Sequence, residues 1–304
     1  MNSISTYQFI WKLFFSKERF GILWIRGGLG NQLFQISALS HFSDQLDFIP
    51  IIHPHNVRQA RDQYHPQYRC LQVEELFSST RRKVHPSDSL ELIIFLIYRI
   101  LRKLIPSAIY DESRLKKTTI SGLPRLFFIQ DYFESQEYPD YLSKDVLQRL
   151  VWTDLGNESI TEPRKNFLNE YLTMIHIRLT DSPNKTNKTN NNNLYKQIES
   201  FLTQSDSFRR TTTLDIFSDD IALAKELLKD IFVSIHKNYP EESITLPSST
   251  LLRKFIQYNC IIASKSTLSW WACYLSSRLS FKQTVIFADF DSTLMRPEWT
   301  RMNQ

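Results

Sequence analysis

A chain of 304 residues, 42% hydrophobic and 23% charged, has the make-up of a folded protein, and disorder on the scale of the whole chain is excluded. A single hydrophobic core stops growing at about 250–300 residues, so two packed lobes are expected. The formal net charge of +5 suits an anionic ligand or an acidic membrane surface. Nucleic acid is not expected as a partner, because there is no zinc finger, no RNA-recognition aromatic motif and no basic region continued by heptads.

The three cysteines, Cys70, Cys260 and Cys273, stand apart and form no CxxC pair. That spacing fits a reducing compartment and argues against a disulfide framework or a zinc site. The N-terminal apolar residues lack the clean apolar run and small-residue cleavage site of a signal peptide. No window reaches the roughly 18 apolar residues of a spanning helix. A cytoplasmic protein is the expectation, and there the N-x-S/T triplets at Asn157, Asn184 and Asn187 carry no meaning.

In chain order, Phe9 to Lys17 is apolar and aromatic with a basic end. Phe20 to Arg26 reads as a short strand rich in β-branched and aromatic residues. Gly27, Gly28 and Gly30 follow, three of only six glycines in the chain. From Asn31 to Phe42 apolar residues recur at helical spacing. A glycine turn into a helix permits close backbone approach and presents free N–H groups to an anion or a sugar, with the Asn31 and Gln32 amides beside them. Position 33 is Leu, so this is not a GxGxxG dinucleotide fingerprint, and it is not a P-loop.

Glu91 to Ile105 reads ELIIFLIYRILRKLI, apolar and closing on Arg99, Arg102 and Lys103. It suits a helix on a membrane surface or a buried helix with a basic end. A lobe boundary is expected near residues 155–168, around Gly156 and Pro163, giving lobes of 1–165 and 166–304. The next strand, Tyr171 to Ile177, runs into His176-Ile177-Arg178, two of whose side chains share a side of an extended chain. The Asn/Lys/Thr stretch from Pro183 to Asn193 reads as a loop.

A strand from Thr213 to Phe217 ends at Ser218-Asp219-Asp220 before a helix over Ile221 to Leu228. A strand from Cys260 to Ala263 ends at Ser264 and leads to a helix over Leu268 to Leu275. Val285 to Ala288 is a late strand. Its continuation Asp289-Phe290-Asp291-Ser292-Thr293 looks like the first motif of haloacid-dehalogenase-type phosphatases. With eleven residues after Thr293, the rest of such a domain is not expected downstream. Strands alternating with helices argue for an α/β fold with parallel sheets. Ligands of such sheets sit beyond the carboxyl ends of the strands, where the polar clusters lie.

The string Arg26-Gly27-Gly28-Leu29-Gly30-Asn31-Gln32-Leu33-Phe34-Gln35 closely resembles the N-terminal motif of the α-1,2-fucosyltransferase family, glycosyltransferase family 11. His176-Ile177-Arg178-Leu179-Thr180-Asp181 resembles its H-x-R-R-x-D segment, with Leu179 in place of the second Arg. Phe217-Ser218-Asp219-Asp220 resembles its F-S-D-D. Ser264-Lys265-Ser266-Thr267-Leu268-Ser269-Trp270-Trp271-Ala272 resembles its S-N-S-T/S-F-S-W-W-A, with Lys265 and Leu268 as departures. Asp131 to Ser135 is a fainter echo of G-Y-F-Q-S. The motifs keep the family's order over most of the chain.

The resemblance implies a GT-B-like fold of two Rossmann-like lobes with parallel sheets, an acceptor-side N-terminal lobe and a C-terminal lobe that binds GDP-fucose. It implies an inverting transfer of L-fucose from GDP-β-L-fucose, without a metal or other cofactor, onto a sugar hydroxyl such as the 2-OH of galactose. A role in surface polysaccharide or O-antigen synthesis would follow. Arg178 would grip the diphosphate, where a guanidinium fork suits phosphate oxygens and stabilises the leaving charge. Alternatively, Arg178 forms a surface ion pair with Asp181. His176 would contact the nucleotide, or is a core histidine. Asp219 or Asp220 would read guanine, or caps the next helix. Ser266 and Thr267 would bond phosphate at a helix start. Gly28, Gly30, Asn31 and Gln32 would line the donor. Trp270 and Trp271 are expected in the core. Asp181 and Glu134 are candidates for the base that inversion asks for. Leu179 favours one alternative, a non-catalytic nucleotide-sugar or glycan-binding protein; a transferase for another nucleotide sugar is a further alternative. The apolar, basic-ended segments suit peripheral contact with the cytoplasmic membrane face and an oligosaccharide acceptor carried on a lipid.

Overall fold

The computed structural model describes residues 6–53, 88–142, 172–179, 196, 199–200, 203, 211, 213–241, 246–263, 265–278, 286–287 and 294–299. The chain divides into two compact units, Met1–Arg149 and Leu150–Gln304. The boundary expected near residues 155–168, the stretch 183–193 and the Asp289/Asp291 pair lie outside the described residues.

Unit 1 runs α1 (Thr6–Phe15), β1 (Phe20–Trp24), α2 (Leu29–Leu46), β2 (Ile49–His53), α3 (Asp88–Leu104), β3 (Ile109–Tyr110), α4 (Glu112–Lys117) and β4 (Leu126–Ile129). Its strands are all parallel, in the order β2-β1-β4-β3. Every residue of β1 is buried, as expected of a parallel strand covered on both faces. Phe20, Ile22 and Trp24 face one side, in a core cluster with Phe9 of α1 and Leu90, Ile94 and Tyr98 of α3. The other face of β1 carries Gly21. A Cβ there would meet the Phe48 ring at 2.5 Å and the Phe127 ring at 2.9 Å, so glycine makes room for that edge-to-face aromatic pair.

Strand β1 stops at Trp24, two residues before the end read from the sequence. The cause is Gln35 of α2. Its Oε1 accepts the Arg26 N–H at 3.1 Å and its Nε2 donates to the Arg26 carbonyl at 2.7 Å, which occupies both backbone groups of Arg26 in place of ladder partners. Strands β2 and β4 were silent in the sequence. IPIIH contains Pro50, tolerated because β2 is the edge of the described sheet, and LFFI is an apolar run without alternation.

Unit 2 runs β5 (Thr173–Ile177), β6 (Thr213–Ser218), α5 (Ile221–Leu228), β7 (His236–Asn238), α6 (Ser248–Phe255), β8 (Cys260–Ala263), α7 (Thr267–Arg278) and β9 (Ile286–Phe287). These strands are also all parallel, in the order β7-β6-β5-β8-β9. On one face Ile175, Ile177 and Leu214 pack with Ala224 and Leu228 of α5. On the other, His176 and Phe217 meet Phe255 of α6, at ring distances of 5.1 and 5.0 Å. Each unit is therefore an α/β layer structure with one parallel sheet, the class the sequence implied.

Trp270 and Trp271 are fully buried, in agreement with the expectation of core packing. The Trp270 indole stacks on Tyr274 with centroids 5.4 Å apart and donates Nε1–H to the Leu294 carbonyl at 2.7 Å. That bond satisfies the one polar atom the ring would otherwise bury unpaired. Among the described residues no helix is long and apolar enough to cross a membrane.

Candidate functional site

An open parallel sheet has its ligand crevice where the strand order reverses, outside the carboxyl ends of the two strands that flank the reversal. In unit 2 that point lies between β5 and β8, because α5 covers one face of the sheet and α6 and α7 approach the other. His176 pairs in register with Ala263 there. The carboxyl end of β5 supplies His176 and Arg178, and the segment after β8 supplies Lys265, Ser266 and Thr267.

His176 Nδ1 and Ser269 Oγ of α7 form a short hydrogen bond, which ties the end of β5 to the start of α7. The imidazole has an edge toward solvent, yet protein surrounds it closely enough that burial dominates its titration. Its pKa is pushed down to about 4, first by burial and then by the positive charge of Arg178, with Asp219 pulling the other way. His176 is thus neutral at pH 7. It can orient or hydrogen-bond a ligand there but brings no positive charge. Arg178 is exposed and is the positive charge beside it.

The two aspartates that follow β6 divide their roles. Asp220 is the N-cap of α5 and its Oδ1 accepts the Leu223 N–H at 3.0 Å. Asp219 Oδ1 accepts the Leu179 N–H at 2.7 Å, which joins the end of β6 to the end of β5 and fixes the backbone beside Arg178. The Leu179 side chain is buried in the core with Ile175, Ile177 and Leu214. At this position the chain therefore has a core packing residue where the related motif has its second Arg. Asp181 lies outside the described residues.

Ser266 sits at the N-terminus of α7, its carbonyl accepting the Trp270 N–H at 2.9 Å. Its side chain is buried and its Oγ makes no hydrogen bond in the structure, so the hydroxyl is not a helix cap. Thr267 is the first residue of α7 and is half-buried. A helix start with N–H groups and a hydroxyl suits an anion. Among the described residues no group of three or more His, Cys, Asp or Glu is placed to hold a metal ion.

In unit 1 the reversal lies between β1 and β4, and the glycine turn stands there. Gly27 has φ of +81°, in the region glycine occupies without strain, and a Cβ on it would meet the Asn31 side chain at 2.7 Å. Gly28 is the N-cap of α2, and a Cβ there would meet nothing within 4 Å, so its backbone is open to approach. Gly30 is buried within α2. Gln32 is buried and uses one amide N–H on the Gly27 carbonyl at 3.0 Å. Asn31 Oδ1 and Gln32 Oε1 are buried without hydrogen-bond partners in the structure. Across the crevice the Arg26 guanidinium lies over the Tyr132 ring at 4.1 Å, and Phe133 takes a φ of +55° that turns the chain after β4.

Three further groups stand at these crevices. Gln35 was legible as the partner of Gln32 at helical i, i+3 spacing, since helix side chains lean toward the N-terminus and here toward the turn. Ser269 was legible only as a member of its motif. Tyr132 was legible only in the faint echo at 131–135. No protein-family model and no curated protein matches this chain. Solved structures that resemble it include NodZ alpha-1,6-fucosyltransferase soaked with GDP-fucose, with TM-score 0.47 and 12% identity, covering 85% of this chain and 93% of that one. That fucosyltransferase is from Bradyrhizobium. They also include a mutant of Arabidopsis thaliana FUT1 in complex with GDP (0.46, 11%, 91% and 72%) and POFUT1 in complex with GDP-fucose (0.41, 10%, 88% and 97%).

Proposed function

We propose that this chain is a glycosyltransferase that moves L-fucose from GDP-β-L-fucose to a sugar hydroxyl with inversion. The carrying observation is the meeting, at the β5/β8 switch point, of Arg178, the neutral His176 and the helix start at Ser266 and Thr267. Arg178 grips the diphosphate. As the bond from the anomeric carbon to the β-phosphate oxygen breaks, its electron pair leaves with GDP, and a fixed guanidinium stabilises that charge in place of a metal. Ser266 Oγ and the α7 N–H groups take the remaining phosphate oxygens. Asp219 reads the guanine edge, Asp220 supports it as the cap of α5, and His176 orients the nucleotide. Gly28, Gly30, Asn31 and Gln32 keep the donor-lining role that their resemblance to the family motif implies. The acceptor oxygen attacks the anomeric carbon from the opposite side and gives its proton to a base, for which Asp181 is assigned.

The acceptor in this reading is an oligosaccharide ending in galactose, fucosylated at the 2-OH, carried on a lipid at the cytoplasmic membrane face and destined for surface polysaccharide. The test is incubation with radiolabelled GDP-fucose and a galactose-terminated oligosaccharide in EDTA, with the product linkage read by NMR. An α-1,2-fucosylated product supports the reading in full, and a product at another position corrects only the linkage. Release of no GDP, with GDP-fucose still bound, supports a second reading favoured by Leu179 in the core: a nucleotide-sugar-binding protein without transferase activity.

A further inference from the structure

Helices α1 and α3 cover the same side of the unit 1 sheet. Phe9 of α1 and Leu90, Ile94 and Tyr98 of α3 join one core cluster with Phe20, Ile22 and Trp24. The opposite face of such a helix is ordinarily polar. Here it is not. Trp11, Phe14 and Phe15 of α1 and Leu92, Leu96, Ile100 and Leu104 of α3 are all between 48% and 75% exposed. The four α3 residues follow one another at intervals of four, as a single stripe. Trp11 and Phe15 stack on each other at 4.5 Å rather than on the core.

Among the described residues, the charge around these stripes is mostly positive. Arg99, Arg102 and Lys103 fall in the last six residues of α3, and Lys12, Lys17 and Arg19 lie on and just after α1. Arg125 is bonded to the end of α1 through the carbonyls of Lys12 and Phe14, each at 3.4 Å. Of the acidic residues nearby, Glu18 is paired with Lys12 at 3.2 Å, and Asp88 and Glu91 stand at the opposite end of α3 from its basic cluster.

We propose that this two-helix face seats the protein on an anionic lipid bilayer, with the aromatic and aliphatic stripes in the headgroup boundary and the basic side chains on lipid phosphates. At 10 and 17 residues the helices lie in the interface and do not cross it. Exposed tryptophan and phenylalanine beside lysine and arginine is the chemistry of that boundary. A second copy docked through the same face would set positive charge against positive charge, whereas an anionic surface complements it. The proposal deepens the membrane contact in the functional reading by naming its surface and its lipid chemistry, and it stands whether or not the donor is GDP-fucose.

The test is flotation of the full chain with phosphatidylcholine vesicles and with vesicles that also contain phosphatidylglycerol. The wild type should float with the anionic vesicles, less with the neutral ones, and less again in high salt. Each basic residue near such a surface is worth roughly fivefold in partitioning, so Arg99→Glu/Arg102→Glu/Lys103→Glu should weaken it on the order of 100-fold or more. Trp11→Ser/Phe14→Ser/Phe15→Ser should lose binding to both vesicle types. All six side chains are exposed, so circular dichroism and GDP-fucose binding of both variants should match the wild type. No flotation with anionic vesicles, or flotation of both variants at the wild-type level, would overturn the proposal. So would a wild-type dimer on gel filtration that the aromatic variant turns into a monomer, because the face would then belong to a second copy. Loss of GDP-fucose binding with flotation intact would sink the donor reading alone.

Discussion

At the unit 1 switch point the chain ends are held by amides, with Gln35 clamping the Arg26 peptide and Gln32 bonded to Gly27. At the unit 2 switch point they are held by the His176–Ser269 bond and by Asp219 on the Leu179 N–H. The topology at both points is that of a doubly wound sheet, but the chemistry offered differs. Unit 1 holds two amide oxygens, of Asn31 and Gln32, buried without partners. Unit 2 presents a guanidinium, a hydroxyl and a helix start, which are donors for an anion. Under the proposed function the diphosphate belongs to the unit 2 crevice. Fold alone would not separate the two crevices.

The strongest way to break the comparison is to empty the core beneath one crevice. Trp270→Ala removes a fully buried ring under the start of α7 and should lower stability by about 3–5 kcal/mol in urea unfolding. GDP affinity should fall with it.

Acid should act on unit 2 next. His176 is depressed in the folded chain to about 4 from its ordinary value of 6.5. Between those values the unfolded chain binds the extra proton, so stability is fully present above pH 6.5 and is lost as pH falls toward 4. The loss reaches up to about 3 kcal/mol. Urea unfolding of the wild type and His176→Gln across this range checks it, and the variant should lack this part of the slope.

Gly27→Ala perturbs the other crevice. It places a side chain at a positive φ and against Asn31, and should cost about 1–3 kcal/mol in thermal unfolding. GDP, which carries no fucose, should bind this variant with unchanged affinity.

The smallest effect separates the two aspartates. Asp220→Ala loses a helix cap worth about 1 kcal/mol and should leave GDP affinity within about twofold in a binding titration. Asp219→Ala should weaken GDP by tenfold or more, because it releases the backbone beside Arg178 and removes the proposed guanine contact.

The helix over Ile221 to Leu228 and the strand over Cys260 to Ala263 were legible residue for residue, because apolar periodicity and bounding polar clusters coincide there. The β2 and β4 strands were not, since a short buried strand carries no alternation. At the site, the glycine turn and the 176–178 pair were legible from residue type and position. The bond from His176 to Ser269 was not, because it joins residues 93 apart and depends on β5 and β8 being neighbours. The division of work between Asp219 and Asp220 was likewise open in the sequence. It is decided by which carboxylate faces the α5 N–H groups and which faces β5.

The most direct measurement is calorimetric titration of the full chain with GDP and GDP-fucose in EDTA, for the wild type and Arg178→Ala. Binding of both ligands, weakened in the variant by about 1.5–3 kcal/mol, or roughly 10- to 150-fold, is the predicted result. No binding to the wild type, or equal affinity in the variant, would contradict the assignment of the β5/β8 crevice to the diphosphate.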